Sequence, residues 1–589
     1  MRMLPLLLLA LLFASSTARA DAPTADTLVG LWGSERVFGP AVAGSLTLDG
    51  RSEPWQASVA GFEARVQHDK DRVSFALPGK QGSFSGQLDA DGRHIQGFWV
   101  QPPGVSLDNA YATPLTLTSA TKGIWQGEIH PLPDRISLYL VVSRADDGSL
   151  KAFIRNPEFN FGMRRAYKIT LSGEQLTLDD TQRKNDRLLG SYDPEQDRLS
   201  ITLQGIAGFD FTRRDRDHAT GFYPVTPAAD HYVYRIPPQE DDGWRTGSLA
   251  EAGLDPKPLQ ALVQQVLDTK TDGYTTPYIQ SILVARHGRL ALEEYFYGFG
   301  RERPHDSRSS AKTLTGTLAG IALDQGAKFR LDTPVYGLFP EYRDFAQGSP
   351  DPRKQQITVE DLLTMNSGYA CDDNDDDSPG NEDTMQGQDK QPDWYKYTLD
   401  LPMKYPPGNK QALYCTAGIN LLGGVIRNTT GMPLTEFFQR YYAAPLDIRD
   451  YHLNLSPTGE AYMGGGIYLR PRDMLKLGQL YLDGGTWDGK RILSEAWVKA
   501  ATTQHSYFPA SDYVPGHGYG YTWHLFQVTV GGKTYSEYMA QGNGGQLVMV
   551  VPELDLAAVI TAGNYGNFPT WRKFFEELMP QYVIAAAKD

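Results

Sequence analysis

The sequence predicts a multidomain chain: an N-terminal all-β region, an antiparallel barrel or sandwich, then an α/β region whose antiparallel sheet is flanked by helices. Three observations predict this. The chain has 589 residues, and single hydrophobic cores stop growing beyond about 250–300 residues. Residues 28–214 read as short alternating segments split by turn signals, whereas strand and helix patterns mix after Trp244. Hydrophobic residues make up 41% and charged residues 21%, an ordinary globular balance that excludes a disordered or fibrous chain.

In the N-terminal region, Arg72-Val73-Ser74-Phe75-Ala76-Leu77, His94 to Val100 and Ser137 to Val142 alternate as half-buried strands do. Asp89-Ala90-Asp91-Gly92 and Asp146-Asp147-Gly148 are hairpin-turn chemistry. Gly30-Leu31-Trp32-Gly33 and Gly123-Ile124-Trp125-Gln126-Gly127 form a weak internal echo, so two related halves are expected. Between Thr212 and Trp244 a charge run and four prolines mark a linker or strap. Pro258 to Leu267 suits an amphipathic helix, with its proline in the first turn. Ile279 to Ala285 and Leu290 to Phe296 read as a hairpin around His287-Gly288, and Leu547 to Val551 with Leu556 to Thr561 as a second. A helix over Trp571 to Ile584 closes the chain. The expected division is a leader at 1–20, a β-rich region at 21–215, a linker at 216–245 and the α/β region at 246–589.

Residues 1–20 have a basic Arg2, an apolar run from Leu4 to Ala14, and Ala18-Arg19-Ala20. That is the pattern of a cleaved secretory signal peptide, and its apolar run is too short to span a bilayer. A secreted or periplasmic protein with no membrane span is expected; an N-terminal anchor is the alternative. The formal net charge of −14 argues against a nucleic-acid partner. Cys371 and Cys415, the two cysteines, would form a disulfide on export if they lie within reach, or else stay as two buried thiols. Without clustered histidines they argue against structural zinc.

The nucleophile candidate is Ser309 in Ser309-Ser310-Ala311-Lys312, with Leu314, Leu318, Ile321 and Ala322 continuing at helical spacing. Three residues apart on a helix, Ser309 and Lys312 share a face. A serine hydroxyl needs a neighbour to take its proton, and a lysine does this when its environment lowers its pKa. The tetrad Ser119-Ala120-Thr121-Lys122 has the same spacing but sits in strand-rich sequence, so it is read as chance.

Further segments give the Ser309 tetrad companions: Ser281 to Leu290, Ile357 to Gly368, Pro406-Pro407-Gly408, Tyr414 to Gly431 and Gly464 to Met474. With them, residues 246–587 resemble the class C β-lactamase and penicillin-binding-protein-like serine hydrolases. The resemblance implies a serine β-lactamase-like domain in which Lys312 is the general base for Ser309. Tyr414, at the position of the Tyr-x-Asn element, would act as phenolate or proton relay. It further implies no metal and no organic cofactor. Two departures stand out. Thr416 replaces the asparagine of Tyr-x-Asn, and Gly542-Asn543-Gly544-Gly545-Gln546 stands where Lys-Thr-Gly is usual. Asn543 is expected to supply an oxyanion-hole backbone N–H alongside that of Ser309, with Thr416, Gly544 and Gly545 at the substrate.

The acidic run from Cys371 to Asp383 fails the EF-hand pattern and reads as a solvated loop. If the cysteines pair, it becomes a lid or specificity loop beside Tyr414. The function expected is an exported serine hydrolase cleaving a small-molecule or peptide-like ester or amide through an acyl-enzyme on Ser309. The alternatives are a D,D-peptidase or β-lactamase of the same fold, or a ligand-binding protein with a vestigial hydrolase domain. No G-x-S-x-G elbow occurs, so an α/β-hydrolase lacks its central motif.

Overall fold

The computed structural model describes residues 25–39, 42–107, 109–158, 166–183, 186–203, 206–224, 231–342, 351–386, 391–511 and 515–588. The expected leader at 1–20 lies outside the described residues. So do residues 225–230 of the expected linker.

The N-terminal region is mostly β and holds two units. Strand Gly30–Gly39 pairs with Asp134–Arg144 on one side and Ala207–Arg213 on the other, closing an eight-stranded antiparallel barrel. Its interior is packed with Trp32, Leu138, Leu140, Ile154, Ile169, Leu178, Leu199 and Phe211. The chain leaves the barrel after this first strand, and the strands between Gly44 and Ile129 form a second antiparallel sheet. The two echoed tryptophan segments therefore fall in different units: Trp32 fills the barrel and Trp125 the second sheet.

That second sheet does not end with the N-terminal region. Strand Tyr111–Thr121 pairs with Tyr451–Asn454 through Leu453↔Ala112 and Asn454↔Tyr111. Tyr451–Asn454 pairs with Ile467–Leu469, which pairs with His305–Asp306. The ladder thus stops three residues before Ser309. The junction carries a buried hydrogen bond, Thr113 Oγ1 to His452 Nδ1 at 2.7 Å. The strap is also tied down: Trp244 is buried and its Nε1 donates to the Arg472 carbonyl at 3.1 Å. Arg472 Nη1 in turn meets Glu240 at 2.8 Å and Asp242 at 3.1 Å.

The C-terminal region is built on a nine-stranded sheet, antiparallel apart from the short Arg245–Thr246 edge strand. Strand Ile279–Arg286 is buried throughout. Leu283 and Ala285 point into one core, Ile282 and Val284 into the other. Both faces are covered, which is why this strand reads as a continuous apolar run and not as an alternation. One face is covered by helix Pro256–Leu267, capped by Asp255, and by the terminal helical segment Phe568–Lys573 with Phe574–Ile584. The other carries helices Ala311–Asp324, Thr416–Thr430 and Pro471–Leu482. The expected hairpins both form, as Ile279–Arg286 with Arg289–Tyr295 and Gln546–Val551 with Leu556–Ala562. No helix among the described residues is long and apolar enough to cross a membrane.

Cys371 and Cys415 form a disulfide across a separation of 44 residues. Closing a loop of that length restricts the unfolded chain by about 4 kcal/mol in the entropy model. The double variant Cys371→Ser/Cys415→Ser is expected to lower the unfolding free energy of the C-terminal region by up to that amount, seen as a lower denaturant midpoint; an unchanged midpoint counts against it.

Burial pushes the His452 imidazole down to about 3, from an ordinary 6.5. Between those values the unfolded chain binds a proton that the folded chain refuses, so stability falls as pH drops from about 6.5 toward 3. Chemical denaturation from pH 7 to pH 4 should show this loss, with a shallower slope for His452→Asn. An equal slope in both proteins refutes it.

Candidate active site

Ser309 stands on a 3-10 turn, Arg308–Ser310, that runs straight into helix Ala311–Asp324. The turn is sharp: Arg308 has φ 48°, a left-handed conformation uncommon for a side chain of this size. Asp306 holds it by accepting from the Arg308 backbone N at 2.9 Å and from Nη1 at 3.3 Å. The neighbouring hydroxyls are committed to backbone: Ser307 Oγ donates to the Ile467 carbonyl at 2.6 Å, Ser310 Oγ to that of Ser307 at 2.7 Å. Ser309 is half-exposed, and its hydroxyl meets a side-chain amine instead.

That amine is Lys312. Its Nζ donates to Ser309 Oγ at 2.7 Å, and the residue is 2% exposed. Tyr414 arrives from the segment before helix Thr416–Thr430. Its phenol lies beside the Ser309 hydroxyl, and its ring centroid lies 5.0 Å from Lys312 Nζ. Burial raises the Tyr414 pKa above its ordinary value, opposed by the Lys312 charge and the Ser309 hydrogen bond. The phenol is therefore protonated at rest, which favours the relay over the phenolate. Ser309, Lys312 and Tyr414 are brought together as the spacing and the resemblance led one to expect.

Strand Lys533–Gly542 ends against the Ser309 turn. A Cβ on Gly542 would lie 2.5 Å from the Ser307 carbonyl oxygen, so only glycine lets the strand come this close. Asn543 follows directly and is the only partly exposed residue of Gly542–Gly545. Its Oδ1 accepts from the Gly566 N–H at 2.6 Å, which orients the turn.

Gly544, Gly545 and Thr416, expected at the substrate, are all buried. Gly544 and Gly545 are buried at φ 96° and 99°, beneath the rings of Tyr565 and Phe574, where any Cβ would collide. They shape and pack the turn; they do not line an open site. Thr416 is fully buried, and its backbone N–H and Oγ1 donate to Asp373 Oδ2 at 2.8 and 2.5 Å. Its hydroxyl is engaged by Asp373.

Asp373 belongs to the acidic run. Asp375, Asp376 and Asp377 are exposed, as a solvated loop requires, whereas Asp373 and Glu382 turn inward. Asp373 Oδ1 accepts from the Glu382 N–H at 2.8 Å, and the Asp373 N–H donates to the Tyr414 carbonyl at 2.9 Å. Burial, with Glu382 nearby, pushes the Asp373 carboxyl up to about 7, against the pull of Lys312 and Thr416. Glu382 accepts from the Tyr462 phenol at 2.8 Å and from Gln386 Nε2 at 2.7 Å. Sequence reasoning missed both inward acids; the cysteine at the start of the run was the available signal.

The other wall is aromatic. His524 lies 6.4 Å from the Tyr414 ring at 27° between planes, and its Nδ1 is 2.9 Å from His517 Nε2. Burial, then the neighbouring His517 and Lys312, pushes the His524 pKa well below its ordinary value, so it is neutral.

Comparison with known proteins agrees with this architecture. The Beta-lactamase family model matches residues 263–570, just over half of the chain. A 6-aminohexanoate-dimer hydrolase of Paenarthrobacter ureafaciens is 28% identical over 254 residues, 41% of this chain and 59% of that protein. The match thus spans less than two thirds of that relative's length. A D-alanyl-D-alanine-carboxypeptidase/endopeptidase of Escherichia coli is 23% identical over 305 residues, 44% of this chain and 76% of the relative. Among solved structures, a putative 6-aminohexanoate-dimer hydrolase from Bacillus anthracis aligns with a TM-score of 0.43 at 18% identity. It covers 53% of this chain and 79% of its own. The chain belongs to the beta-lactamase family of serine hydrolases.

Proposed function

We propose that the protein is an exported hydrolase that cleaves an ester or amide bond through an acyl-enzyme on Ser309. The observation that carries this reading is the 2.7 Å contact between Lys312 Nζ and Ser309 Oγ, with the Tyr414 phenol beside the same hydroxyl. In the first step Ser309 Oγ attacks the acyl carbon while its proton passes into the Lys312–Tyr414 pair. The tetrahedral oxyanion is held by the backbone N–H groups of Ser309 and Asn543. Collapse breaks the scissile bond, and the stored proton goes to the leaving oxygen or nitrogen. Water then attacks the acyl-enzyme, gives a proton back to the pair and releases the acid with Ser309 restored.

The relative named a 6-aminohexanoate-dimer hydrolase supports a hydrolase acting on a small substrate. The Escherichia coli relative favours a second reading, a D,D-peptidase. The absent Lys-Thr-Gly lysine and the asparagine replaced by Thr416 weigh against it, because both would meet polar groups of a cell-wall peptide. Export rests on residues 1–20.

Fluorophosphonate labelling with mass spectrometry of the modified peptide tests the assignment. The adduct should sit on Ser309 and vanish in Ser309→Ala. In Lys312→Ala labelling should slow by about 10²–10⁴-fold, the usual worth of a positioned acid–base group. Adduct on another residue, or undiminished labelling of Lys312→Ala, would overturn it.

A further inference from the structure

We propose that Asp373 is a positioning residue of this site: a carboxylate that Thr416 draws in from the acidic loop and that sets the proton balance of the Lys312–Tyr414 pair. The inference rests on the reading of Ser309 as nucleophile and deepens it. Its starting point is the substitution in the Tyr-x-Asn element. Thr416 is too short to place an amide at the site, but its hydroxyl and N–H together grip Asp373 Oδ2, 43 residues upstream. A residue that looked like the loss of a polar group is an attachment point for a charged one.

The attachment is built and not incidental. Asp373 is fixed by Thr416 on one oxygen, by the Glu382 N–H on the other, and by its own N–H on the Tyr414 carbonyl. The disulfide joins Cys371, two residues before Asp373, to Cys415, between Tyr414 and Thr416. The loop therefore cannot withdraw the carboxylate without disturbing the backbone that presents the phenol. Exposed Asp375, Asp376 and Asp377 have no such constraint.

Several charged or titratable groups face this carboxylate. Glu382 comes from the same loop, Lys312 from the nucleophile helix and Tyr414 from the segment it hydrogen-bonds. Behind Glu382 stand Tyr462, bonded to it, and Arg308, whose charge it attracts. An ionised Asp373 raises the proton affinity of Tyr414 and is itself favoured by the nearby Lys312. Protonated, it relaxes that hold. With its carboxyl titrating near neutrality, the site changes charge in the pH range where a hydrolase works.

The test is the pH dependence, from pH 5 to 9, of the rate at which a fluorophosphonate modifies Ser309 in the full chain. In Asp373→Asn the neutral amide removes the charge that holds the proton on the Tyr414 phenol. The acidic limb should therefore move to lower pH, with a several-fold gain at about pH 8, where wild-type Asp373 is ionised, that vanishes toward about pH 6, where it is already neutral. Thr416→Val removes one donor that stabilises the ionised carboxylate and should move the limb the same way by less. Superimposable profiles, or a uniform drop at every pH, would reduce Asp373 to a structural residue and overturn the inference. If Asp373→Asn fails to fold, judged by circular dichroism, Thr416→Val decides alone. A wild-type protein that is not labelled at Ser309 instead defeats the underlying reading, and the two failures are distinct.

Discussion

A polar side chain taken out of water is costly unless the protein gives it partners, and the burial of Lys312 is the constraint around which this site is arranged. Its Nζ has the Ser309 hydroxyl at hydrogen-bond distance, the face of Tyr414 beside it and the Asp373 carboxylate within its field. Each of these neighbours comes from a different stretch of chain. Their convergence demands a rigid scaffold, because Ångström-scale displacements would leave the buried amine without its partners.

The scaffold is rigid for reasons visible in the nucleophile helix. Residues Ala311 to Ala322 are buried on every side, between the nine-stranded sheet and helices Thr416–Thr430 and Pro471–Leu482. A helix buried all round has to satisfy its polar side chains internally. Thr313 Oγ1 donates to the Thr522 carbonyl and Thr315 Oγ1 to that of Met463, both at 2.6 Å. Close packing needs small residues, and Gly316 and Gly320 provide them: a Cβ there would strike Thr522 and Trp497. The same geometry that fixes Lys312 thus explains a threonine- and glycine-rich helix with a weak amphipathic signature.

What could be read from sequence was local. The Ser309–Lys312 spacing, the two hairpins and the helix after Asp255 depend on neighbours a few residues apart, and they stand where pattern and cap residues put them. Tyr414 was placed by resemblance, since nothing local distinguishes it from the other tyrosines. What escaped was long-range. Asp373 differs from Asp375 only by the partner that meets it after the chain has folded, and Gly544 and Gly545 were assigned to a substrate because their burial under Tyr565 and Phe574 is invisible along the chain. The second N-terminal sheet was foreseen as β structure, but not its continuation into the hydrolase region, because Leu453 and Ala112 are separated by most of the intervening fold.

That continuation has a mechanical meaning. The main-chain ladder runs from Tyr111–Thr121 through Tyr451–Asn454 and Ile467–Leu469 to His305–Asp306, and Ser307 then bonds the Ile467 carbonyl. Cutting the N-terminal strands away would strip Tyr451–Asn454 of a neighbour and turn a protected strand into an open edge, the kind that recruits other chains. The anterior β structure is in this sense a buttress: a shim behind the Ser309 turn, whose removal would loosen that turn from a distance.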